Sequence, residues 1–191
     1  MFNFPLQNLI PRFLSAAVAA LIAPIFMSPA AADELVQARL IDRLDRPHDG
    51  YCFDILGVGT DLVLDVPLFA HNCKPGLTAD SALIYTAKGE LFFPQPKVCV
   101  TAFGVKTVLP GSAVMVEPCG RRAPFYRTSG LQKFDHLENG QLRLRGRDVC
   151  IAVGAESDGT YSTSDLWRVL SMEPCASVPL NLSAWEFSVP D

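Results

Sequence analysis

The chain lacks most of the residue patterns on which catalysis depends. It holds three histidines, His48, His71 and His136, and none stands at a catalytic or metal-ligand spacing from a partner. No Gly-x-Ser-x-Gly elbow occurs, because Gly111-Ser112 has no second glycine after it. Phosphate-cradling glycine patterns are absent. So is Cys-x-x-Cys, which removes the usual zinc knuckle. These gaps point away from an enzyme, and no cofactor or metal is expected. Charge is sparse as well: Asp and Glu number 20 against 16 Lys and Arg. A mildly acidic chain is a poor match for nucleic acid or anionic lipid. Beyond residue 33 no window has convincing helical periodicity. The best candidate, residues 166–172, is too short to persuade.

Long apolar runs are missing too, with one exception at the N-terminus. Arg12 is the only charged side chain before Asp33, and it precedes the apolar stretch 13–27. Ser28-Pro29-Ala30-Ala31-Ala32 follows, with alanines where a signal peptidase reads. A short positive region, a brief apolar core and an A-x-A end make a secretory signal peptide over residues 1–32. Pro24 and the shortness of the core argue against a retained anchor, since a span needs about 20 apolar residues. The expected mature chain is residues 33–191, a single domain that is secreted or periplasmic. No membrane insertion is expected once the signal is removed.

All six cysteines, Cys52, Cys73, Cys99, Cys119, Cys150 and Cys175, fall in that mature part. An even count in an exported chain reads as three disulfides. Self-comparison chooses their pairing. Cys52-Phe53-Asp54-Ile55-Leu56-Gly57, Cys99-Val100-Thr101-Ala102-Phe103-Gly104 and Cys150-Ile151-Ala152-Val153-Gly154 are copies of one opening at intervals of roughly 50 residues. Each leads through an apolar run to a second cysteine, spelled Glu-Pro-Cys in the last two copies. A third landmark follows: Ser81-Ala82-Leu83, Gln132-Lys133-Phe134 and Ser183-Ala184-Trp185. The repeats run over about 38–88, 89–139 and 140–191. Equivalent copies should carry equivalent bridges, which gives Cys52–Cys73, Cys99–Cys119 and Cys150–Cys175.

Short segments at 39–44, 52–56, 62–66, 83–86, 99–103 and 142–145 read as strands, rich in apolar or β-branched residues. Pro and Gly clusters separate them. The fold class is therefore all-β. Four short strands used three times suggest a threefold barrel capped by hairpins, closed because no single repeat can bury its apolar face alone. Trp167 and Trp185 are both expected in packing roles rather than as ligand platforms.

With these landmarks in place, residues 40–191 resemble the ricin B-type lectins, the β-trefoil domains marked by a Q-x-W triplet. The triplet is eroded here. Gln survives only at Gln132 and Trp only at Trp185. The resemblance implies carbohydrate binding by an aspartate two residues after the first cysteine and a ring two residues before the second. A polar residue just ahead of the triplet completes the clasp. A pyranose has an apolar ring face and a rim of hydroxyls, so it suits a flat ring plus charged acceptors. In the first repeat these positions are Asp54, His71 and Asp80; in the second Thr101, Glu117 and Leu131; in the third Ala152, Glu173 and Leu182. Only the first repeat offers an acidic acceptor with a ring, so at most one sugar site is expected.

Two readings follow for the partner. In one, a secreted lectin-like module holds a glycan through Asp54, His71 and Asp80. In the other, the trefoil is a protein-interaction scaffold or an inhibitor of a secreted enzyme. It would then present loops 45–50 and 156–164 to an envelope or extracellular protein.

Overall fold

The computed structural model describes Met1 and residues 34–190, apart from 124, 125, 161 and 163. The expected signal segment therefore lies outside the described residues, Met1 excepted. Among the described residues fifteen strands are shared by three similar units. The first holds β1 (Gln37–Leu40), β2 (Tyr51–Asp54), β3 (Phe69–Asn72) and β4 (Ile84–Tyr85). The second holds β5 (Leu91–Phe93), β6 (Val98–Ala102), β7 (Ser112–Pro118), the small hairpin β8 (Arg122–Ala123) and β9 (Tyr126–Arg127), and β10 (Phe134–His136). The third holds β11 (Leu142–Leu144), β12 (Val149–Val153), β13 (Asp158–Gly159), β14 (Leu166–Pro174) and β15 (Trp185–Ser188). One helical turn, α1 (Leu180–Ser183), precedes β15.

The pairing is threefold. β4 joins β5 and β10 joins β11, while β15 returns to pair with β1, so the last strand closes on the first. Hairpins β2–β3, β6–β7 and β12–β14 form the second layer. β14 is long enough to pair with β3 and β7 as well as β12, and it ties the three hairpins together. This is a β-trefoil, with all three bridges paired as the repeats require: Cys52–Cys73, Cys99–Cys119 and Cys150–Cys175.

Packing explains the repeat. Equivalent positions of the three units supply the core in sets of three: Leu40, Phe93 and Leu144; Phe53, Val100 and Ile151; Leu83, Phe134 and Trp185. All nine are fully buried. Trp185 meets the Phe53 ring edge-on at 4.4 Å, and its indole N–H donates to the Ile151 carbonyl at 3.0 Å. The buried tryptophan thus leaves no polar atom unsatisfied. Gly89, which opens the second repeat, has φ +82, and a Cβ there would sit 2.6 Å from the Phe134 carbonyl oxygen. Only glycine fits that crossing.

One strand expectation fails outright. Residues 62–66 form an irregular loop instead of a strand. Gly57 turns the chain at φ +113, so tightly that a Cβ would stand 2.1 Å from the Asp61 carbonyl. The resulting loop leaves Val63 and Leu64 exposed, without a partner strand to bury them. Residues 166–172, the nearest thing to a helix in the sequence, belong to β14.

The eroded triplet has a structural answer. Gln132 is buried, and its amide N–H2 donates to Thr101 Oγ1 at 2.9 Å and toward the carbonyls of Glu117 and Pro118. Its oxygen accepts from the Gly120 N–H at 2.8 Å. It pins the loop after the second cysteine to the barrel. In the other two repeats serine stands at that position and is too short for the task. There a glutamine from the opening of the repeat takes over. Gln37 donates to the Lys74 and Gly76 carbonyls and to Ser81 Oγ. Gln141 donates to the Cys175 carbonyl and Ser183 Oγ.

Candidate functional site

The first hairpin gathers the three expected residues into one cluster. Asp54 ends β2 and pairs with Phe69 on β3, while Cys52 pairs with His71. The Cys52–Cys73 bridge then clamps the end of β3 against β2, which carries Lys74 over Asp54. Asp80 arrives from the far side. Its loop turns on hydrogen bonds from the Ser81 and Ala82 N–H groups to the Thr78 carbonyl, and its own carbonyl accepts from the Ile55 N–H at 2.9 Å. Two carboxylates, a lysine and an imidazole meet there.

Lys74 Nζ lies 2.7 Å from Asp54 Oδ2 and is also hydrogen-bonded to Asp80 Oδ2. His71 Nδ1 is 4.0 Å from Asp54 Oδ2. Asp54 and Asp80 are 3% and 1% exposed, whereas the Lys74 side chain keeps 26% of its surface in solvent. Two buried carboxyl groups therefore share one cation. Burial pushes the Asp54 carboxyl up to about 7, the Lys74 charge opposes the rise, and neighbouring Asp80 adds to it. Burial, followed by the Lys74 charge, lowers the His71 imidazole, which therefore favours its neutral form. Lys74 is held above its ordinary value, because the charges and hydrogen bonds of the two carboxylates outweigh its own burial. Asp80 Oδ1 and His71 Nδ1 are buried atoms with no hydrogen-bond partner among the described residues.

Among the described residues the other repeats build nothing comparable. Thr101 is buried with its hydroxyl donating to the Cys99 carbonyl, Glu117 pairs with Arg121 at 2.6 Å, and Leu131 is in the core. Ala152 is buried, Glu173 accepts from Ser171 Oγ, and Leu182 packs against the core. No group of three or more His, Cys, Asp or Glu suited to a metal ion occurs among the described residues.

Two participants escaped the sequence reading. Lys74 directly follows the second cysteine, where the other copies have Gly120 and Ala176. Comparing the copies at that position would have singled it out. Trp167 is not a core residue. It is half-buried on β14, opposite His71, with its ring 6.2 Å from that of Phe69. Its sequence neighbour Arg168 is the buried one, lying over the Tyr51 ring at 5.0 Å and bonded to Asp45 and the Gly154 carbonyl at 2.7 Å each. A strand of alternating faces can bury only one of the pair.

The two long loops considered as contact surfaces lean on one another. Ser157 Oγ donates to Asp45 Oδ2 at 2.5 Å, and the Arg46 guanidinium donates to the Ser164 carbonyl at 2.5 Å. No helix among the described residues is long and apolar enough to cross a membrane.

No protein-family model matches the chain, and no curated protein does either. Solved structures do match. The β-trefoil lectin of the Vibrio vulnificus hemolysin/cytolysin, with N-acetyl-D-lactosamine bound, is similar with a TM-score of 0.52 at 15% identity. The match covers 82% of this chain and 95% of that one. The agglutinin from Abrus precatorius gives 0.59 at 16% identity over 85% of this chain, which spans about half (51%) of the agglutinin chain. The mdaA-1 domain gives 0.57 at 12% identity, covering 83% of this chain and 91% of that one. At these identities the likeness establishes the β-trefoil fold.

Proposed function

We propose that this protein is an exported lectin-like module that holds a glycan at the first repeat, with no catalytic step. One observation carries the reading. Among the described residues the first repeat alone places two buried carboxyl groups under a lysine and beside a ring, and leaves Asp80 Oδ1 unpaired. Asp54 and Asp80 would exchange hydrogen bonds with sugar hydroxyls. His71, neutral, would face the sugar's C–H side. Lys74 is the movable part: its stem is flexible and partly solvated, so it can swing from the carboxylates and donate to the sugar instead. The other two repeats serve as scaffold. Three disulfides fit an oxidising compartment, in keeping with export by the expected signal peptide. The N-acetyl-D-lactosamine of the Vibrio lectin makes that disaccharide the first ligand to try.

The test is a glycan array probed with the disulfide-intact secreted protein and with Asp54→Asn. Binding by the parent that falls at least tenfold in the variant, with melting temperature retained, supports a site in the first repeat. Binding that is equal in both moves the site elsewhere.

The scaffold reading remains the second choice. It is favoured by the joined surface of the 45–50 and 156–164 loops, and a silent array would turn attention there.

A further inference from the structure

One face of the sheet runs from the carboxylate cluster into an apolar cavity. Cross-strand partners share a face, and the register β2–β3–β14 puts Asp54 beside Phe69 beside Val169, with Cys52 beside His71 beside Trp167 one step along. The rings are continuous: Phe69 meets His71 at 6.1 Å and Trp167 at 6.2 Å, both edge-on. Past Phe69 the hairpins diverge around a cavity of about 850 Å³, within the range of small-molecule sites. Leu56, Val66, Phe69, Trp167 and Val169 are among its walls. Val169 is 52% exposed within it and Leu56 45%, apolar surface that a folded chain has reason to cover. Among the described residues no charged side chain lines the cavity, whereas the cluster at the other end of the same face is almost wholly ionic.

We infer that the cluster and the cavity are two halves of one amphipathic site, and that its ligand is a glycoside carrying an apolar aglycone, such as an alkyl chain. This rests on the glycan reading above and names its ligand class. The sugar sits over Asp54 and Asp80, and the aglycone leaves past Phe69 and lies against Trp167 and Val169. Phe69 belongs to both halves: it flanks Asp54 across the strands and walls the cavity.

The experiment compares methyl β-N-acetyllactosaminide, octyl β-N-acetyllactosaminide and octyl β-maltoside, all kept below micelle formation. Binding to the full secreted protein is read by tryptophan fluorescence and calorimetry. The octyl lactosaminide is expected to bind at least tenfold tighter than the methyl one, because each buried methylene adds to the hydrophobic gain. Two variants leave the carboxylates alone. Val169→Ser changes a half-exposed wall residue without burying anything polar, and Ala113→Phe fills the cavity. Either should cut the octyl advantage below threefold while methyl glycoside binding stays unchanged. Equal affinity for the methyl and octyl lactosaminides overturns the composite site and leaves the glycan reading standing. Octyl maltoside bound as tightly as the octyl lactosaminide, with no effect of Asp54→Asn, means the tail binds alone, and both readings fall. Silence from all three ligands also overturns the composite site.

Discussion

Asp54→Asn should remove the fall in stability that the Asp54 carboxyl imposes on the parent between pH 5 and 8. In the unfolded chain the Asp54 carboxyl titrates near 3.8, and in the fold near 7. Between those values the folded state holds a proton that the unfolded state has lost, so stability declines as pH rises through the window. The full difference makes the ionised carboxylate about 4 kcal/mol less favourable in the fold. Of that, about 2 to 3 kcal/mol is lost between pH 5 and pH 8. His71 acts in the opposite sense, since its folded value is lowered and its contribution is lost as pH falls below 6.5. It is present in both proteins, so the difference between their slopes isolates Asp54. Urea denaturation with the disulfides intact, at pH 5 and pH 8, measures both slopes. The variant should match the parent at pH 5, where Asp54 is protonated, and be at least as stable at pH 8. Asparagine gives Lys74 a weaker acceptor, which trims the gain at pH 8 without reversing it. A variant clearly less stable than the parent at pH 8 would refute the reasoning. It would show that the Lys74 ion pair stabilises more than burying a second carboxylate costs.

Gln132→Ala removes a buried amide that satisfies Thr101 Oγ1 and the Gly120 N–H. It should cost about 3 kcal/mol by denaturant midpoint, against under about 0.5 for Ser177→Ala on the surface. Arg168→Met should loosen the 45–50 and 156–164 loops together, seen as faster amide exchange in both, because the guanidinium holds Asp45, which in turn accepts from Ser157. Exchange that speeds up in only one loop would show that Arg168 does not couple them. The Asp45 carboxyl lies well below its ordinary value. Burial acts to raise it, and the bonds from Ser157, Arg168 and Tyr51 override that. The coupling in the parent should therefore hold above pH 3.8 and weaken as pH falls below it.

Much of the architecture was legible because it repeats. Three cysteine-led openings gave the bridges, the closure and the buried sets of three, since threefold packing demands equivalent residues at equivalent positions. Residues 62–66 misled because apolar content alone was read, whereas Gly57 decides the path of that loop. Trp167 misled for a related reason. Burial statistics favoured the tryptophan, but a strand buries alternate residues, and here the alternate was Arg168, neutralised by Asp45 and covered by Tyr51. The candidate site was visible as three separate positions. Its electrostatics were not, because Lys74 is brought over Asp54 only by the Cys52–Cys73 clamp and the fold of the 78–82 turn.

The migrating glutamine bears on how such proteins can be found and altered. In the second repeat the amide comes from the triplet, and in the first and third it comes from the strand that opens the repeat. What persists is a job, tying the backbone beside the second cysteine to the barrel, while the residue that does it has changed address. A search keyed to fixed letters at fixed columns meets a blank in two repeats out of three, though the fastening is intact in all. The same exchange sets a rule for engineering. The two addresses form a single unit of inheritance, to be transplanted between repeats together, since a serine moved without its glutamine leaves a loop untied.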